Sequence, residues 1–98
     1  MWDLYVLACG DEALYTGITS DLARRVGEHT RGQGGRYTRA HLPVHLVAAW
    51  EFPDRGTATS AELRFKRLRR ATKLRFVRSR LPFGSAAFAA EIVSRVKG

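Results

Sequence analysis

The sequence has one cysteine, Cys9, in 98 residues. An internal disulfide is therefore excluded, and no Cys/His spacing matches a zinc site. No apolar run is long enough to span a bilayer. The start, Met1-Trp2-Asp3, lacks the basic and apolar segments of a secretory leader. A cytoplasmic protein is expected. Internal repeats and low-complexity tracts are missing as well. Two further absences concern charge. Residues 1–23 contain no Lys or Arg, only the acids Asp3, Asp11, Glu12 and Asp21. From Arg64 to Arg80 there is no acid, against nine basic residues.

What is present follows from that asymmetry. The chain carries 17 Lys and Arg against 9 acids, a net charge of +8. All the cations lie between Arg24 and Lys97. A one-sided basic field favours a polyanionic partner, most simply nucleic acid. The basic stretch lacks a broad exposed apolar face, which argues against a membrane surface. A hydrophobic fraction of 45% and this length fit one globular domain over residues 1–98 with a core of its own.

The run Leu4-Tyr5-Val6-Leu7-Ala8 is apolar on both alternating faces, as in a central strand covered on both sides. Cys9-Gly10-Asp11-Glu12 reads as a short hairpin loop, and Ala13-Leu14-Tyr15-Thr16-Gly17 as the returning strand. Tyr5 and Tyr15 then lie on adjacent antiparallel strands, with Gly17 leaving bare backbone beside Tyr15. Ile18-Thr19-Ser20 offers hydroxyl caps for a helix with Asp21 in its first turn. Leu22, Arg25, Val26 and His29 share one helical face, the buried one, while Arg24 and Glu28 point to water. Arg31-Gly32-Gln33-Gly34-Gly35 reads as a helix end and flexible loop. Arg36-Tyr37-Thr38-Arg39 continues that loop with a mix suited to phosphate contact.

Val44 to Phe52 reads as a long strand with Val44, Leu46, Ala48, Trp50 and Phe52 on one face. After the turn Pro53-Asp54-Arg55-Gly56, a helix is expected from about Thr57. Ala58, Ala61, Phe65 and Leu68 form its stripe, bordered by Glu62. Glu62 has two ordinary uses there: the capping box Thr59-Ser60-Ala61-Glu62 and an ion pair with Lys66 one turn on. Leu74 and Val77 mark a short helix closed by Leu81-Pro82. Ser85 can cap a last helix over about 85–96, with Phe88, Ala89, Ile92, Val93 and Val96 inward. The order is β-β-α-β-α-α-α. This is an α+β fold, a small three-stranded antiparallel sheet flanked by helices.

Taken together, these residues resemble the GIY-YIG nuclease superfamily, and within it the small stand-alone UPF0213-type proteins. The resemblance covers about residues 2–74. Its elements are Asp3-Leu4-Tyr5, then Tyr15-Thr16-Gly17, then Asp21-Leu22 with Arg25 and His29 in an Arg-x-x-x-His arrangement. Tyr37-Thr38-Arg39 with Pro43-Val44 and Glu62 with Lys66 complete the set. Asp3 stands where the first triplet of the family has Gly, and Ile18-Thr19 where many larger members are basic.

The resemblance implies a metal-dependent endonuclease acting on phosphodiester bonds, with DNA as its first expected partner. Tyr5 or Tyr15 would hold or deprotonate the attacking water, given a phenol pKa lowered by nearby cations. Arg25 would clamp the phosphate with its planar fork. His29 would orient a tyrosine or shuttle a proton. Glu62 would ligate Mg²⁺ or Mn²⁺, and no organic cofactor is implied. Arg36, Tyr37, Arg39, Lys66, Arg67 and Arg70 would contact the nucleic acid. Tyr5, Tyr15, Arg25 and Glu62 are expected to converge in one shallow site on one face of the sheet. The rival reading is a non-catalytic nucleic-acid-binding module that keeps the fold.

Overall fold

A computed structural model describes residues 1–97. Two strands open the chain, β1 (Trp2–Ala8) and β2 (Leu14–Thr19), followed by helices α1 (Leu22–Thr30) and α2 (Arg36–Ala40). Strand β3 (His45–Phe52) leads to α3 (Arg55–Arg67), α4 (Arg70–Arg78) and α5 (Ala90–Lys97). The sheet is antiparallel with the order β2-β1-β3. The central place of β1 follows from its two apolar faces, both of which are covered.

On one face Leu4 and Val6 join Ala48, Trp50 and Phe52 beneath Ala58, Ala61 and Phe65 of α3. Trp50 is fully buried and ringed by Phe65, Phe83 and Phe88, and its indole N–H donates to the Leu81 carbonyl at 2.9 Å. A buried indole keeps its polar edge satisfied in this way. On the other face Tyr5 and Leu7 pack with Leu46 and Ala49 against Leu22 and Val26 of α1 and Val93 of α5. No helix among the described residues is long and apolar enough to cross a membrane.

The structure departs from the sequence expectation at several places. A bulge between Val6 and Leu7 of β1 skips Val47, so Leu46 and Val44 pack on the Tyr5 face instead of with Trp50. An extra residue in one strand reverses the alternation beyond it. Asp21 is itself the cap of α1, accepting from the Arg24 N–H, whereas Thr19 remains in β2. Asp54 caps α3, which starts at Arg55, so the Thr59–Glu62 capping box does not form. Residues 36–40 are helical, not loop. The last helix begins at Ala90, because Phe83 and Ala86 close a tight turn around Ser85.

One buried acid carries a stability prediction. Asp3 lies between Thr19 and Glu51 in the strand register and is buried, with one carboxylate oxygen lacking a hydrogen-bond partner among the described residues. Burial first, and then the Glu51 charge, push its pKa up from 3.8 to about 6, against the pull of the chain's N-terminal ammonium. A raised carboxyl pKa means the fold prefers the protonated form. That group costs nothing below its unfolded pKa of 3.8, and the penalty grows as pH rises through about 6. The plateau is about 2–3 kcal/mol at ~1.4 kcal/mol per pKa unit. Asp3→Asn should therefore raise Tm by several degrees at pH 8 and leave it unchanged near pH 3.5. Thermal melts at the two pH values test this, and an equal shift at both would refute the titration argument.

Candidate active site

Tyr5 points from the central strand across β2. It pairs in register with Gly17, and a Cβ on Gly17 would stand 2.6 Å from the Tyr5 hydroxyl. The missing side chain thus lets the phenol lie over β2, so Gly17 is bare for Tyr5 and not for Tyr15 as the sequence suggested. Tyr15 pairs with Leu7 and is half-buried.

His29, in the last turn of α1, is the meeting point. It is fully buried, its Nε2 is 3.1 Å from the Tyr5 hydroxyl oxygen, and its ring centroid is 5.2 Å from that of Tyr15. Its Nδ1 is 2.7 Å from the hydroxyl oxygen of Thr38, which is also fully buried. The glycine loop closes over this edge, and a Cβ on Gly34 would stand 2.2 Å from Nδ1. Burial, helped by the Arg25 charge, lowers the His29 pKa below its usual 6.5, so the ring is held neutral.

Arg25 lies one turn before His29 on α1, about one-third exposed, and donates to Glu28 at 3.0 Å. Its guanidinium also lies beside the Tyr5 phenol and favours the phenolate. Burial wins that contest. The Tyr5 pKa is pushed up to about 12, with Tyr15 and Glu62 adding to the rise. The lowered phenol pKa expected from sequence is therefore corrected. Glu28, expected to point to water, is half-buried and holds both Arg24 and Arg25.

Glu62 comes from α3, on the other side of the sheet. Its side chain is 17% exposed and pairs with Lys66 at 3.3 Å. Lys66 in turn lines a cleft of about 230 Å³ with Leu14, Tyr15, Thr16, Tyr37 and Lys73. Tyr15 and Thr16 are neighbours whose side chains leave opposite faces of β2. The cleft therefore wraps the open edge of β2. Of Tyr5, Tyr15, Arg25 and Glu62, Tyr15 alone lines it, and α1 with Arg25 and α3 with Glu62 cover opposite faces, which corrects the expected placement on one face of the sheet.

The remaining sequence candidates divide. Arg36 and Arg39 are exposed on α2, Arg67 ends α3 and Arg70 opens α4, both exposed, and none of the four lines the cleft. Tyr37 lines it, but its hydroxyl donates to Asp11 and its ring stacks on His41 at 4.2 Å. Thr38 is not a phosphate contact, because its hydroxyl is spent on His29. Lys73 was missed as an individual site residue. The helix that carries it was legible, but its place beside Tyr15 and Lys66 was not. Among the described residues no cluster of three or more His, Cys, Asp or Glu could share an ion.

Comparison with known proteins gives the family and the fold. A family model described as the GIY-YIG catalytic domain matches residues 1–75, and the chain belongs to that family of nuclease domains. More narrowly, it is similar to small UPF0213 proteins. It is 49% identical over 78 residues to one from Xanthomonas axonopodis pv. citri, covering 80% of this chain and 76% of that protein. It is 47% identical over 77 residues to one from Streptococcus sanguinis, covering 79% of this chain and 88% of that protein. The solution NMR structure of a UPF0213 protein from Bacillus halodurans superposes with a TM-score of 0.53 at 40% identity, over 81% of this chain and 85% of that one.

Proposed function

We propose that the protein is a divalent-metal-dependent endonuclease that hydrolyses phosphodiester bonds in DNA at the β2 edge. The observation that carries this reading is the hydrogen-bonded Tyr5–His29 pair with the Arg25 guanidinium beside it. Core packing needs a buried tyrosine or a buried histidine, but not both polar ends facing each other next to a cation.

A phenol with a pKa of about 12 is a poor base when it must ionise in advance. It works as a base when it passes its own proton on while taking one from water. His29 is neutral and in contact, so it can receive that proton. Tyr15 has no hydrogen bond from its hydroxyl among the described residues, which leaves it free to hold water or substrate. Glu28 holds the Arg25 fork in place until substrate binds, and Arg25 then neutralises a phosphate oxygen by exchanging Glu28 for it. Glu62 fits a Mg²⁺ or Mn²⁺ ligand. Its carboxylate is partly exposed, one protein carboxylate suffices for a hydrated ion of this kind, and the lysine it pairs with is exchangeable. Such an ion would supply charge neutralisation at the phosphate.

The deciding experiment is nicking of supercoiled plasmid with Mg²⁺ or Mn²⁺ and with EDTA. Nicking is expected with either ion and none with EDTA. Equal nicking in EDTA, or none in any condition, rejects the reading.

Binding rests on the cations of α3 and α4, which carry the acid-free run Arg64 to Arg80. Log K for duplex DNA should fall with log salt at a slope of roughly −0.9 per phosphate neutralised. Reversing charge at Arg67 and Arg70, both exposed, should weaken binding and flatten that slope while changing stability by no more than about 1 kcal/mol. Salt-independent affinity would rule this surface out.

A further inference from the structure

We propose that Thr38 is a positioning residue that holds neutral His29 as its Nδ1–H tautomer, leaving Nε2 free to take the Tyr5 proton. A neutral imidazole has one donor and one acceptor nitrogen, and the partner of one nitrogen decides the role of the other. The Thr38 hydroxyl has a single hydrogen. It donates to the Gly35 carbonyl at 3.2 Å. Its oxygen must then accept at the 2.7 Å contact, so the proton sits on Nδ1. Nε2 is left with its lone pair toward the Tyr5 hydroxyl, 3.1 Å away, and that hydroxyl donates.

The chain of bonds therefore runs one way: Tyr5 to His29, His29 to Thr38, Thr38 to the Gly35 carbonyl. The reverse order forfeits the Thr38–Gly35 bond and turns the Tyr5 proton away from His29. Water cannot stand in for Thr38. His29 and Thr38 are both fully buried, and a Cβ on Gly34 would stand 2.2 Å from Nδ1. An unpartnered nitrogen in such a place is costly.

The functional consequence rests on the endonuclease reading; the tautomer does not. In the reaction one proton leaves the attacking water for the Tyr5 oxygen, and the Tyr5 proton moves to Nε2. The resulting imidazolium has an acceptor for each N–H: Tyr5 at Nε2 and Thr38 at Nδ1. When product leaves, the proton returns through Tyr5 to solvent. With the other tautomer Nε2 already bears hydrogen, and the relay is closed.

Long-range ¹H–¹⁵N spectra of the labelled protein read the tautomer directly, with the His29 ring assigned through its contacts with Tyr5. Wild type should show Nδ1–H. Thr38→Ser should keep it, and Thr38→Val, of the same shape but without a hydroxyl, should move the population toward Nε2–H. In plasmid nicking Thr38→Val should lower kcat by about 10²-fold with KM unchanged, and Thr38→Ser should restore most of it. An Nε2–H ring in wild type, or an unchanged Nδ1–H ring in Thr38→Val, overturns the proposal. The wild-type spectrum decides alone should Thr38→Val not fold. An Nδ1–H ring in a wild type that nicks nothing would sink the endonuclease reading and keep the Thr38 assignment.

Discussion

Glu62→Ala is expected to abolish metal-dependent nicking and leave nucleic-acid binding largely intact. The two readouts separate because they draw on different groups. Affinity comes from Lys and Arg against phosphates, and the substitution removes no cation. It frees the Lys66 ammonium, now 3.3 Å from the carboxylate, to face the cleft. Stability is barely touched. An i, i+4 helix pair contributes only about 0.3–0.5 kcal/mol, and alanine suits a helix interior. The change also acts in favour of Tyr5, because the Glu62 charge is one of the causes that raise the phenol pKa. Loss of activity would thus not arise from unfolding, from weaker binding or from a poorer tyrosine. The metal ligand is what remains. Gel-shift affinity, a thermal melt and plasmid nicking on one preparation check all of this. Nicking at the wild-type rate would remove Glu62 from the mechanism.

Legibility followed the range of the interaction. The hairpin of Tyr5 and Tyr15 and the α1 face with Arg25 and His29 were readable, since strand and helix periods act within a few residues. The central position of β1 was readable because burial on both faces leaves a two-sided apolar pattern. Three features were not. The bulge opposite Val6 and Leu7 is fixed by pairing between strands some forty residues apart, and nothing local to Val47 signals it. Helix α2 is five residues long, too short to show a period, and so Thr38 could not be placed on a buried side. The direction of the Tyr5 pKa shift depended on weighing burial against a neighbouring cation. Sequence supplies the cation but not the depth. The tyrosine base was made conditional on a phenol pKa lowered by nearby cations, whereas a phenol that is 1% exposed is dominated by desolvation.

Tyr5→Phe should lower the cleavage rate by ~10²–10⁴-fold, the range for losing a positioned general base, and Tyr15→Phe should cost clearly less. The sequence treated the two phenols alike. Their surroundings do not. Tyr5 bonds to an imidazole that can accept its proton, whereas Tyr15 meets the same ring only through its face at 5.2 Å between centroids. Both substitutions keep the aromatic ring and its packing, so a large loss must come from the hydroxyl. Tyr5→Phe also strands the Nε2 of a buried histidine, which costs about 1–3 kcal/mol of stability. A thermal melt will register that cost, and assays well below the lowered Tm keep it apart from the rate. The pH dependence offers a second check. With Nε2 stranded, no buried base takes a proton from the attacking water, and hydroxide from solution must supply the nucleophile. The residual rate of Tyr5→Phe should then rise with hydroxide concentration more steeply than that of wild type. Wild-type rates in Tyr5→Phe, together with a large loss in Tyr15→Phe, would move the base from the central strand to the edge strand. The Tyr5–His29 pair would then be a buried structural bond, and the water would be activated on the open side of β2.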